Sequence, residues 1–201
     1  MGLKQATLTD LEFHPVTADL WDDFETLFGE RGACGGCWCM WWRLKRSDFE
    51  KQKGEGNKRA MKKIITSGEV PGLLAYIDGQ PVAWCSVAPR AAFPVLDRSR
   101  ILKRVDDQPV WSIVCFFVAR PFRRKGIMLQ FLRAVVKHAG EHGAHIVEGY
   151  PVEPKKPSTP DLFLYHGVAS TFRKAGFVEV ARRSETRPIM RYFIEHKKRR
   201  T

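Results

Sequence analysis

The hydrophobic and polar positions alternate between helical and extended periods along the chain. Residues 8–13 are expected to form a first strand. Residues 19–28 (DLWDDFETLF) place apolar side chains at helical spacing, and Gly29 follows as a suitable C-terminal stop. Residues 31–42 form a loop rich in Gly, Cys and Trp. Residues 57–66 (NKRAMKKIIT) read as a basic helix that ends before Gly68. Residues 72–77 and 82–87 flank Asp78 and Gly79, a pair that favours a hairpin turn. Residues 89–109 are charged and irregular.

The most hydrophobic run is 110–119 (VWSIVCFFVA). Its β-branched and aromatic content predicts a central strand buried on both faces. A basic turn follows, and then an amphipathic helix over 127–139 that ends near Gly140. Residues 145–150 are the next strand, and the prolines at 151, 154, 157 and 160 make 151–164 a loop. A short helix over 167–175 ends at Gly176, and 177–182 and 188–194 close the chain as antiparallel strands. The order predicts an α+β domain with one strand–helix–strand unit at its centre.

Composition narrows the class. Of 201 residues, 44% are hydrophobic and 28% charged, which suits a folded domain and excludes a collagenous or wholly disordered chain. One domain over 1–195 with a basic tail over 196–201 is expected. No run approaches about 18 apolar residues, so no membrane span is expected. The start, MGLKQATLTDLEFHP, lacks the apolar centre of a secretory signal, and Ala6 breaks the myristoylation pattern. Five cysteines, three of them at 34, 37 and 39, do not form a secreted disulfide framework, so a cytoplasmic location is expected.

The net charge of +12 is concentrated at 120–125 (RPFRRK) and in the tail. Basic and aromatic residues are not interleaved, which disfavours a nucleic-acid surface. The 120–125 turn stands between a strand and a helix, the arrangement of an anion cradle. Gly126 allows close backbone approach, the helix start offers unpaired N–H groups and about half a positive charge, and Arg123, Arg124 and Lys125 add full charges. A diphosphate suits such a site. A plain solvated basic turn is the other reading.

The run FFVARPFRRKGIM (116–128) resembles motif A of the GNAT family, the GCN5-related N-acetyltransferases. Arg123, Gly126 and Met128 occupy the places of the Arg/Gln-x-x-Gly-x-Gly/Ala pattern, with Val118 ending the strand. Met128 departs from the usual small residue, and Arg124 stands where Gly is common. Residues 171–180 (TFRKAGFVEV) resemble the family's later helix–GlyPhe–strand signature, and the 72–87 hairpin matches the strand pair before motif A.

The resemblance implies a GNAT-type fold. Its central sheet would be mixed but mostly antiparallel and flanked by helices, with strands 110–119 and 145–150 splayed into a cleft. It implies acetyl-CoA as co-substrate and acetyl transfer, in a ternary complex, to a primary amine of a small molecule or protein. The backbone of Phe116, Phe117 and Val118 would meet the pantetheine arm, and that of Arg123, Arg124, Lys125, Gly126, Ile127 and Met128 the pyrophosphate. Relatives are often homodimers. A CoA-binding regulator without transfer activity is the alternative, motivated by Met128 and Phe172.

Transfer needs a neutral amine, and a lysine-like amine with pKa about 10.4 is neutral about once in a few thousand molecules at pH 7. Glu148, mid-strand in an apolar context, is the candidate base, against an ordinary salt-bridged glutamate. The family's usual proton donor, a Tyr in the last helix, is Phe172 here. Tyr165 is the substitute, against a packing role, with Ser170 and Tyr150 behind it.

The loop CGGCWCMWWR (34–43) lacks the second cysteine pair of a structural zinc site, and no metal is expected. Trp38, Trp41 and Trp42 are candidate walls of the acceptor pocket, compatible with their also plugging the sheet.

Overall fold

The computed structural model describes residues 11–155 and 159–195. The expected strand positions 8–10 and the tail over 196–201 lie outside the described residues. The chain forms β1 (Glu12–Pro15), α1 (Trp21–Phe28), α2 (Arg46–Lys51), α3 (Glu55–Thr66), β2 (Gly72–Ile77) and β3 (Gln80–Pro89). There follow α4 (Val95–Arg98), β4 (Trp111–Val118), α5 (Ile127–Glu141), β5 (Ile146–Gly149), α6 (Ala169–Lys174), β6 (Val178–Arg182) and β7 (Pro188–Phe193).

The seven strands make one sheet in the order β1-β2-β3-β4-β5-β7-β6. Every pairing is antiparallel except β4 with β5. Two-residue alternation sends side chains to opposite faces. Along β2 and β3, Leu73, Ala75, Ala83 and Cys85 meet α5, whose Phe131, Leu132 and Val135 are fully buried. Leu74, Tyr76 and Trp84 point the other way, toward α1 and Trp38. A third apolar group, with Phe93, Leu96 and Tyr150, lies under the 89–109 segment.

The observed elements depart from the expected ones at two points, α2 and the short α4 within the 89–109 stretch expected to be irregular. Helix α2 was not anticipated, because only Phe49 of its six residues is buried and no apolar stripe marks it. Helix α5 runs to Glu141, near Gly140 as expected, and the left-handed residue beyond its end is Gly143, with φ of 80°. The last two strands pair antiparallel as expected, with β7 beside β5 and β6 at the edge.

The feature that positions the site is a break between β4 and β5. Their pairing covers only Trp111, Ser112 and Ile113 against Val147, Glu148 and Gly149. On the other side of β4, Ser86 faces Cys115 and Val87 faces Ile113, so Val114 is an extra residue, a β-bulge. A bulge bends and twists its strand. It falls at the position where β4 leaves β5. On the β5 side Pro151 follows two residues after Gly149, and it has no N–H with which to extend the ladder.

Candidate active site

The splay opens a cleft of about 580 Å³. Its floor is β4, through Phe116, Phe117 and Val118, and one end is the turn and first residues of α5, through Arg123, Arg124, Gly126, Ile127 and Met128. Leu164 and Tyr165 line another side, and Val168, Thr171 and Lys174 a third. Of the six turn residues expected here, five line the cleft. Lys125 instead places its ammonium 5.6 Å from the Phe122 ring centroid.

The turn has the backbone of an anion cradle. Gly126 is left-handed, with φ of 80°, and directly precedes α5. Arg124 also has a positive φ, 60°, a conformation that ordinary side chains adopt only at some strain. The residue standing where Gly is common thus has a glycine-like backbone. Arg123 donates from Nε to the Val118 carbonyl at 2.9 Å, which ties the turn to the end of β4. Arg123, Arg124 and Lys174 line the cleft, and no Asp or Glu does among the described residues. An anionic ligand is the matching guest.

The open edge of β4 is already partly engaged. The Phe116 N–H donates to the Tyr165 carbonyl at 2.6 Å, and the Val118 carbonyl accepts from Arg123. A ligand that paired with β4 at Phe116 would displace the Tyr165 carbonyl. Tyr165 itself is half-buried, and burial pushes its phenol up to about 12, opposed by the nearby Arg187 charge. It therefore keeps its proton at neutral pH.

Glu148 does not have the apolar setting expected from its strand. Its side chain is 1% exposed and held between two guanidinium groups. Arg90 Nη1 donates to Oε1 at 3.1 Å, Tyr150 Oη donates to Oε1 at 2.7 Å, and Arg191 Nε donates to Oε2 at 2.7 Å. Arg191 also grips Asp106 through both terminal nitrogens, and Arg90 grips Asp97. The Glu148 carboxylate is not part of the cleft lining.

The tryptophans are corrected in part. Trp38 is 3% exposed and packed among Trp21, Phe24 and Phe28. Trp41 and Trp42 are half-buried, and Trp42 lies 5.5 Å from the His166 ring. None of the three lines the cleft; the loop contributes Ala33 and Cys34 instead. Phe172, in the place of the usual Tyr, is fully buried, and a Cβ on Gly149 would come within 2.3 Å of its ring.

Thr171 and Lys174 were missed from sequence. Their i, i+3 spacing puts them on one face of α6, a signal readable only once the opposite face, with Phe172, is known to be core. Among the described residues no group of three or more His, Cys, Asp or Glu is placed to hold a metal ion, and no helix is long and apolar enough to cross a membrane.

Comparison with known proteins agrees with this geometry. The GNAT acetyltransferase family profile matches residues 38–159. The PaiA N-acetyltransferase of Thermoplasma acidophilum, solved in complex with coenzyme A, is 13% identical with a TM-score of 0.52; the match covers 92% of this chain and 100% of that one. A GNAT acetyltransferase of Streptococcus agalactiae is 13% identical with a TM-score of 0.55, covering 96% and 100%. One from Listeria monocytogenes is 11% identical with a TM-score of 0.51, covering 92% and 95%. At such identities the structures speak for the fold alone. No curated protein matches the sequence significantly. With the family profile spanning more than half of its length and the same fold beneath it, the chain belongs to the GNAT acetyltransferase family.

Proposed function

We propose that this protein transfers an acetyl group from acetyl-CoA to a primary amine of a small molecule or protein, directly and in a ternary complex. The observation that carries the reading is the cleft itself. It couples a splayed, bulged strand to a left-handed turn and a helix start, is lined by Arg123, Arg124 and Lys174, and holds no carboxylate among its described lining residues. The coenzyme A in the Thermoplasma structure supports the choice of ligand.

Acetyl-CoA, when bound, supplies the activated thioester. The backbone N–H groups from Arg123 to Met128 would hold its pyrophosphate at the start of α5, where the peptide dipoles favour negative charge. The strand segment Phe116–Val118 would bind the pantetheine arm, with the Tyr165 carbonyl giving up the Phe116 N–H. Tyr165 is assigned as proton donor to the leaving thiolate, because it lines the cleft beside Phe116. Glu148 has both oxygens occupied away from the cleft, so the reading gives the amine's proton to water and makes Glu148 the hub of the ion-pair network.

The alternative, a CoA-binding protein without transfer, is favoured by the burial of Phe172 and by this engagement of Glu148. An acceptor panel that follows free CoA release separates the two. Turnover with any amine above the hydrolytic background supports transfer; CoA binding with no turnover across amino acids, polyamines and peptides overturns it.

A further inference from the structure

Three nitrogen groups gather beyond Tyr165, and the fold leaves each of them short of partners. Tyr165 lines the cleft, and the His166 ring lies 4.3 Å from the Tyr165 ring. The Trp42 ring is 5.5 Å from His166, and the Tyr150 ring 6.5 Å. His166 is 1% exposed, and its Nδ1 is buried without a hydrogen-bond partner among the described residues. Trp42 is only half-buried, yet its Nε1 is also buried and unpartnered. A buried polar atom left unpaired destabilises a fold, so two of them on neighbouring rings call for an occupant.

The third group is Arg187, half-buried in the turn between β6 and β7. Its Nη1 reaches the Tyr150 carbonyl at 3.5 Å, long for a hydrogen bond. Arg182 and Arg191, on the two strands that this turn joins, each hold two carboxylates. Arg187 forms a salt bridge with none among the described residues. Its charge is felt on both sides of the Tyr165–His166 pair. Burial pushes the His166 imidazole well below its usual value and the Arg187 charge adds to that, so the ring is neutral at pH 7. The same charge opposes the rise of the Tyr165 phenol.

The chemistry of the three groups selects their guest. An indole nitrogen and a guanidinium only donate. A neutral imidazole carries one N–H, and its partner decides which nitrogen bears it. With the proton on Nδ1, the set offers three donors and one full positive charge. A carboxylate, which only accepts, satisfies all of it. An ammonium, which only donates, satisfies none, and a hydroxyl leaves the Arg187 charge uncompensated.

We propose that the acceptor is an amine that also carries a carboxylate, an amino-acid-like molecule, with Arg187 paired to that carboxylate and Trp42 and His166 completing its hydrogen bonds. The inference rests on the acetyl-transfer reading for the other end of the molecule: the amine meets the thioester beside Tyr165, and the carboxylate extends past that ring to the three donors.

The test needs a binding readout that does not depend on turnover. The full chain with saturating coenzyme A is titrated calorimetrically with β-alanine, 4-aminobutyrate and the common amino acids, and in parallel with their amides and decarboxylated amines. At least one acid should bind at least about tenfold tighter than its amide, as a charge-assisted pair requires. Arg187→Met, its fold checked by thermal melting, should erase that preference, and Arg187→Lys should recover part of it. Trp42→Phe, which keeps a ring and loses the N–H, should weaken the acid and leave the amide unchanged. No binding by any acid, amides that bind as well as acids, or a preference that survives both Arg187→Met and Trp42→Phe overturns the inference. Acid-selective binding lost in Arg187→Met, but with no free CoA released from acetyl-CoA, supports this site and sinks the transfer reading instead. Turnover confined to amines without a carboxylate keeps transfer and overturns the carboxylate site.

Discussion

At the residue scale, Glu148 shows how far local context can mislead. A glutamate within Ile146-Val147-Glu148-Gly149 reads as a carboxylate in oil, because the sequence around it is apolar. The guanidinium groups that neutralise it come from Arg90 and Arg191, 58 and 43 residues away, and no local pattern announces them. Truncating one member of a buried pair leaves its partners charged and unpaired. Glu148→Ala should therefore lower the unfolding free energy by about 3–5 kcal/mol, measured by urea denaturation. A loss under about 1 kcal/mol would mean that the network is not a structural hub. The same logic governs Tyr165, which was legible from its place before the last helix although its contacts were not. If its phenol protonates the leaving thiolate, Tyr165→Phe should lower kcat by about 10²-fold and leave CoA affinity within about twofold. Equal kcat would assign that proton to solvent.

At the element scale, what lay within one window was readable and what depended on pairing across the sheet was not. The Asp78–Gly79 hairpin, the α5 stripe and the run that became β4 each carry their own period. The Val114 bulge and the insertion of β7 beside β5 depend on strands far apart in sequence. Within the tryptophan loop a related reason sets Trp38 apart from Trp41 and Trp42. Aromatic composition marks burial, and burial served Trp38 as core beside α1 rather than as a wall. The turn before α5 was legible because one glycine must be left-handed for the helix to start against the cleft. Gly126→Ala forces a Cβ onto a φ of 80° and should cost about 1–2 kcal/mol, with a further loss of acetyl-CoA affinity. A variant of full stability and affinity would show that the left-handed bend is dispensable.

At the scale of the whole molecule, the charge distribution turns a general fold into a specific expectation. The excess of 34 basic over 22 acidic residues would by itself attract any polyanion. The cleft adds shape, with an apolar floor of Phe116, Phe117 and Val118 leading to Arg123, Arg124 and Lys174. A ligand with both an apolar-tolerant arm and a diphosphate gains from both parts, whereas inorganic pyrophosphate or a short oligonucleotide gains from the charge alone. Binding to the folded state alone should stabilise the protein by about 2.7 kcal/mol when acetyl-CoA is at about a hundred times its Kd. For a chain of this size that is a rise in Tm of about 5–10 °C. Raising the salt concentration should shrink the rise without abolishing it, because screening weakens the charged end and leaves the apolar floor intact. Lys174→Ala should shrink it in the same way. A Tm unmoved by millimolar acetyl-CoA, or moved as much by pyrophosphate, would mean that the cleft recognises charge and not the thioester's carrier, and the assignment of acetyl transfer would fail with it.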